Sequence, residues 1–394
     1  MEALRMNISS GLSIAAFLTA AMLSLTACDR GPYMLDPVDI PAEVRTAVDA
    51  AVLPLVNTYQ SVGLVAGVIC DGERYILGYG STRILGRDVP DAQTLFEIGS
   101  VTKACTGLLL AVMAGEGTVD LDDPARAYLP EGATLPAFDG QEISLRHLAM
   151  HTSGLPRLPA DLFTGAGFNR HNPYAHYNIG DMLRFVSGYT LPRAPGAVYE
   201  YSNLAAGLLG NLLADLDKKT YEEAFVARIA EPLAVEDTRI TLSESQGGRL
   251  AWGHTSIAHL FQLSLPFPTA NWDIPAFAGA GGLRSSVGDM LTLLEAAMGP
   301  AESPLHEAFE LSMQPGFTIN GRMRVGLGWH LITPDDDAEP LVWHNGATGG
   351  YTSFVGCLRE AGVAVVLLNN SNTNVDRAAL QILGALSGRD FLGR

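Results

Sequence analysis

The sequence predicts an α+β fold: a central antiparallel sheet flanked by helices, with a helical subdomain inserted into it. Strand-like segments cluster at the two ends of the chain, while helical spacing and Pro/Gly/Asn-rich loops fill the middle. Of the 394 residues 47% are hydrophobic and 17% charged, which is enough apolar material for a sizeable core. The expected domain runs from 46 to 394, with its sheet part at 46–119 and 281–394 and its helical subdomain at 120–280.

The N-terminus reads as a targeting segment. Met1 to Ser10 carries Arg5, and Gly11 to Leu25 has no charge. That run suits a secretory signal and falls short of the about 20 residues a spanning helix needs. It closes on Leu25-Thr26-Ala27-Cys28, which resembles the bacterial lipobox. Residues 1–27 are therefore expected to be a lipoprotein signal peptide and Cys28 the lipidated first mature residue. The chain would be exported and held to a bacterial membrane by that lipid, with residues 28–45 as a tether. The formal net charge of −17 repels phosphates, so nucleic acid and anionic lipid surfaces are discounted as partners.

Past the tether, Thr46 to Leu53 has helical spacing and should stop at Pro54. Leu64–Cys70 and Arg74–Tyr79 read as strands joined by the turn Asp71-Gly72. A helix follows Ser100, with apolar residues at 101, 104, 105, 108, 109 and 112, and ends near Gly115. Between 120 and 280, Asn203–Ala214 and Tyr221–Ile229 read as helices and no strong run of strands is visible. Ser286, with Asp289 three residues on, caps a helix that stops at Gly299-Pro300. Arg324–Thr333, Leu341–His344, Tyr351–Leu358 and Val363–Asn369 read as extended, and Val375–Ser387 as a closing helix. Cys70, Cys105 and Cys357 are expected as buried thiols, with a Cys70–Cys357 bridge open only if their strands are neighbours.

Three motifs can carry chemistry. In Ser100-Val101-Thr102-Lys103 the i and i+3 positions share a helix face, so the Lys amine can approach the Ser hydroxyl. The chain has only three lysines; Lys218 and Lys219 lie in a polar segment, whereas Lys103 opens an apolar helix, where an ammonium is costly. In Tyr201-Ser202-Asn203 a Tyr near a Lys can act as acid or base, and Asn203 either orients the Lys, binds a substrate carbonyl or merely caps a helix. In His344-Asn345-Gly346-Ala347 the Gly permits close backbone approach, and the following N–H can face an oxyanion.

In this order the motifs resemble the penicillin-recognising serine hydrolases, and the flanks resemble their class C β-lactamase-like branch. These flanks are Phe96-Glu97-Ile98-Gly99, His151-Thr152-Ser153-Gly154-Leu155-Pro156, Ala280-Gly281-Gly282-Leu283 and Gly326-Leu327-Gly328-Trp329. The resemblance spans about residues 50–390 and implies the β-lactamase/transpeptidase-like fold, with no metal or organic cofactor. It implies Ser100 as nucleophile, Lys103 and Tyr201 as proton carriers, and Asn203 positioning Lys103 and the substrate. It further implies that the N–H groups of Ser100 and Ala347 form an oxyanion hole bounded by Gly346, with His344 on the substrate.

His344 stands where typical class C enzymes carry a cationic Lys, and a neutral imidazole offers no fixed charge to a β-lactam carboxylate. Arg284 and Arg359 are alternative cations for that task. His147, His151, His171 and His176 read as structural or loop residues, and Phe168–Tyr177 and Phe267–Phe277 as walls of a cleft. The expected activity is hydrolysis of an amide or ester through an acyl-enzyme, by a monomer acting on a small-molecule or peptide substrate. The alternatives are a penicillin-binding sensor and a catalytically silent membrane-anchored binding protein.

Overall fold

The computed structural model describes residues 40–393, apart from 59, 166, 261–262, 301 and 334–337. The expected signal peptide, Cys28 and most of the tether lie outside these residues. The tether's last residues are helical, because α1 spans Ala42–Asn57. Pro54 lies inside α1 rather than ending it. A proline in the last turn loses one hydrogen bond, and packing of Val44, Val48 and Val52 outweighs that loss.

Strands β1 (Gly63–Cys70) and β2 (Glu73–Gly80) form the expected hairpin. Its turn residues Asp71 and Gly72 both have positive φ, 53° and 78°, as a two-residue turn of this hand requires. A short strand β3 (Leu95–Glu97) leads through a 3-10 turn at Gly99–Val101 into α2 (Thr102–Gly115). Every residue from Thr102 to Met113 is buried, so α2 is a central helix rather than an amphipathic one.

The middle of the chain holds α3 (Leu145–Ala149), α4 (Ile179–Ser187), α5 (Asn203–Leu216), α6 (Tyr221–Phe225) and α7 (Glu244–Arg249). It also holds a hairpin absent from the sequence reading, β4 (His254–Leu260) with β5 (Leu263–Pro268). Two prolines in β5 and a register shift between Ser256 and His259 hide its period-two pattern.

After the short helix α8 (Ala278–Gly281) come β6 (Arg284–Ser286), paired with β3, and α9 (Val287–Met298). The Ser286 side chain accepts from Asp289 N at 3.1 Å, as the cap pattern predicts. Helix α10 (His306–Met313) was not foreseen, because its N-cap Leu305 is left-handed and makes no side-chain cap.

The chain closes with β7 (Phe317–Thr318), β8 (Met323–Val325), β9 (His330–Ile332), β10 (Leu341–Ala347), β11 (Thr352–Leu358), β12 (Val363–Asn369) and α11 (Asp376–Ser387). One eight-stranded antiparallel sheet results, in the order β2-β1-β12-β11-β10-β9-β8-β7. Residues of β11 and β12 are buried throughout, because helices cover both faces. Val363, Val365 and Leu367 pack with α1 and α11, while Ala364, Val366 and Leu368 face the core that contains α2 and α5.

Cys70, Cys105 and Cys357 are free thiols. Strand β12 separates β1 from β11, so Cys70 and Cys357 sit two strand spacings apart, about 9.6 Å. That exceeds the reach of a disulfide.

Candidate active site

The site forms where the β3–α2 junction meets the end of β10. Gly99 has φ +49°, and a Cβ there would lie 2.7 Å from Ala347 N, so only glycine fits both the backbone and its neighbour. A Cβ on Gly346 would in turn run into the Ile98 carbonyl. These two glycines let the strand end and the nucleophile turn touch.

The backbone then sets two donors. Thr348 N donates to Tyr351 O at 3.0 Å, making that a hydrogen-bonded pair across β10 and β11. Alternation along an antiparallel ladder turns Ala347 N–H away from β11, to the side occupied by Gly99. The first bond of the 3-10 turn is Val101 N to Ile98 O, so Ser100 N–H precedes the turn's bonding.

Ser100 is half-buried at the head of α2. Lys103 Nζ lies 2.9 Å from Ser100 Oγ and donates to Ala280 O at 2.6 Å. Lys103 is buried, and burial, with the charge of Arg157 added, holds its amine well below the ordinary lysine range. Burial favours the deprotonated form, in which an amine donating to Ala280 O keeps a lone pair for the serine proton. No carboxylate pairs with it among the described residues.

Tyr201 reaches the site on a segment stitched to residues 151–157. Gly196 N donates to Thr152 O, Glu200 N to His151 O, and Asn203 N to Arg157 O. Ser202, not Asn203, caps α5: its Oγ accepts from Ala205 N at 2.9 Å and donates to Pro156 O at 2.7 Å. The Tyr201 ring centroid is 4.9 Å from Lys103 Nζ. Burial pushes its phenol up to about 12, while Ser100 and Arg157 pull the other way, so it is protonated at neutral pH.

Asn203 sits beside Tyr174, whose phenol it pulls down against burial, and its Oδ1 is buried without a partner. The hydrogen bonds of Lys103 go to Ser100 and Ala280, so the Lys-orienting part foreseen for Asn203 falls to the Ala280 carbonyl.

His344 is fully buried, its Nδ1 2.6 Å from Asn345 O and its Nε2 unpartnered. Burial, then His330 and Lys103, hold its pKa well below the usual value, so the imidazole is neutral. Two histidines not foreseen at the site join it. The His330 ring is 5.0 Å from that of His344, and burial pushes its pKa down to about 4. The His151 ring is 4.4 Å from that of Tyr201, its Nδ1 accepts from Ser202 N, and its φ is +59°. His151 is thus the structural turn histidine the sequence suggests, and its bond to Ser202 N holds it against the Tyr201 ring. His151 opens one of the family-like segments, whereas His330 belongs to no such segment and only the fold reveals it.

Of the two alternative cations, Arg284 is 3.4 Å from Glu97 and also donates to Ile240 O and Trp272 O. Arg359 is paired with Glu310 and donates to Ala297 O. The Trp272 and Tyr174 rings lie 5.3 Å apart, tilted by 51°, and a Cβ on Gly349 would lie 2.6 Å from Trp272 Nε1. These two rings form one wall of the cleft.

A central antiparallel sheet, a serine at a helix head and a buried amine within hydrogen-bond distance define a serine hydrolase class. The sequence comparisons agree: residues 48–388 match the family described as Beta-lactamase, and the chain belongs to that family. It is 28% identical to a beta-lactamase of Escherichia coli K12 over 88% of this chain and 94% of that protein. It is 27% identical to the D-alanyl-D-alanine-carboxypeptidase/endopeptidase AmpH of the same organism, over 91% of this chain and 90% of that one. A solved beta-lactamase/D-alanine carboxypeptidase from Yersinia pestis superposes with a TM-score of 0.73 at 24% identity, covering 87% of this chain and 98% of its own. That likeness carries the fold.

Proposed function

We propose that this serine hydrolase is an exported, lipid-anchored enzyme in which Ser100 forms an acyl-enzyme with small esters in preference to cephalosporins. The observation that carries the mechanism is the 2.9 Å contact between Ser100 Oγ and a buried, proton-poor Lys103 amine. Ser100 Oγ attacks the acyl carbon as its proton passes to Lys103 Nζ. The carbonyl oxygen gains charge facing the N–H groups of Ser100 and Ala347. The proton then goes to the leaving oxygen, from Lys103 directly or by way of the Tyr201 hydroxyl. Water attacks the ester of Ser100 in the reverse sense, giving the free acid and the restored serine.

The preference for esters rests on His344. A cephalosporin or a D-alanyl-D-alanine end brings a carboxylate on the leaving side, and a neutral, enclosed imidazole gives it no cation. The names of the relatives keep β-lactams and D-alanyl-D-alanine peptides among the substrates to be tried.

The test is a steady-state panel of p-nitrophenyl butyrate, nitrocefin and a D-Ala-D-Ala peptide on the wild type and Ser100→Ala. Ester turnover with the higher kcat/KM, abolished by the substitution, supports this reading. A burst with nitrocefin followed by negligible release would mark a sensor instead. Undiminished turnover in Ser100→Ala would exclude Ser100 as nucleophile.

A further inference from the structure

We propose that Arg157 selects substrates carrying a carboxylate on the acyl chain. This rests on Ser100 being the nucleophile. The Arg157 side chain is exposed at the mouth of the site, with its guanidinium 5.0 Å from the Tyr201 ring centroid. Its backbone is fixed: Arg157 O accepts from Asn203 N, and the neighbouring Pro156 O accepts from Ser202 Oγ. Among the described residues no carboxylate pairs with it, whereas Arg193, Arg228, Arg249, Arg284 and Arg359 each have one. In a chain with 42 acidic and 25 basic residues, an arginine without an acid partner at a reactive centre is an available anion site.

The other basic groups of the cleft do not compete. Burial disfavours the charged forms of Lys103, His344 and His330. Arg284 is occupied by Glu97 and two carbonyls. The charge of Arg157 reaches Lys103, His151, Tyr174 and Tyr201, which locates it within the electrostatic range of the whole centre.

The direction follows from the chemistry. With the carbonyl oxygen between Ser100 N and Ala347 N, the leaving oxygen needs a proton and turns to Lys103 and Tyr201. The acyl chain then leaves on the side of Asn203, whose N–H donates to Arg157 O, and of Tyr174, which the Arg157 charge reaches. A carboxylate a few bonds along that chain meets the guanidinium fork.

Aryl boronic acids test this without turnover. Ser100 Oγ bonds to boron as its proton passes to Lys103, and the trigonal boron becomes a tetrahedral anion. The aryl group takes the place of the acyl chain. Dissociation constants of 3-carboxyphenylboronic acid and phenylboronic acid are measured for the purified wild type, Arg157→Gln and Arg157→Lys. The readout is their ratio, so that any general effect of the substitution on Lys103 cancels. The expected result is about tenfold tighter binding of the carboxylated compound by the wild type. That preference is lost in Arg157→Gln and largely kept in Arg157→Lys. A wild-type ratio near one, or an unchanged ratio in Arg157→Gln, would overturn the role of Arg157 and leave Ser100 standing. No tetrahedral boron signal with either compound would overturn the nucleophile assignment and this inference together.

Discussion

The Glu97 carboxylate and the Arg284 guanidinium lie 3.4 Å apart, 4% and 12% exposed, and tie β3 to β6 just ahead of the Ser100 turn. Glu97 also accepts from Trp272 N at 3.0 Å and contacts Thr348, the residue after Ala347. One carboxylate therefore holds the cleft wall and the strand end together. Glu97→Gln keeps an acceptor for Trp272 but leaves a buried guanidinium uncompensated. It should lower stability by roughly 3–5 kcal/mol, read by urea denaturation. An unchanged midpoint would show that Arg284 finds water or another partner.

Lys103→Met should lower kcat for an ester by about 10²–10⁴-fold, the usual range for losing a general base. It should also change how stability depends on pH. The unfolded chain keeps the lysine proton up to the ordinary value of 10.5, whereas the folded site sheds it at lower pH. Between those two values the unfolded state binds more protons, so wild-type stability gains as pH rises, by at most about 1.4 kcal/mol per unit. The Met variant lacks this gain. Parallel stability curves for the two proteins between pH 7 and 10 would mean that Lys103 is charged in the fold.

Gly99→Ala should lose about 10²–10³-fold in kcat, comparable to removing an oxyanion donor. The new methyl would meet Ala347 N and force φ out of the left-handed region. Fluorophosphonate labelling rate and thermal melting separate the two effects. Labelling slowed no more than twofold would disconnect Gly99 from the oxyanion donors.

His344→Lys would add an ammonium at a position with no solvent exposure, close to Lys103 and His330. The expected outcome is a loss of roughly 2–4 kcal/mol in stability with little gain for cephalosporins. Improved nitrocefin KM at unchanged stability would mean that position 344 opens onto the substrate.

Cys28 should carry lipid at the mature N-terminus, with the protein in the membrane fraction of its bacterium. No helix among the described residues is long and apolar enough to cross a membrane. Mass spectrometry of the N-terminal peptide decides it, and a soluble product beginning elsewhere would rule it out.

Much of the sheet was legible because its signals are local. Asp71-Gly72 declares its turn, and the apolar runs Thr352–Leu358 and Val363–Asn369 are buried on both faces. Ser100 and Lys103 could be paired because helical geometry alone brings i and i+3 together. The remainder depends on tertiary context. The hairpin at His254–Pro268 is masked by prolines and a register shift, and α10 begins without a cap. Ala280 enters the site through a carbonyl, which every residue possesses, so no side-chain pattern could mark it. His330 and Arg157 are single residues whose significance is a position in space.

The interleaving of β1 with β12 sets a timetable for the molecule. Strands β1 and β2 join the sheet only through β12, nearly three hundred residues further along the chain. Ser100 likewise waits for Gly346 and Ala347, synthesised nearly two and a half hundred residues later. A growing chain therefore cannot join its N-terminal hairpin to the sheet, or bring Ser100 against Ala347, until both distant segments have been made.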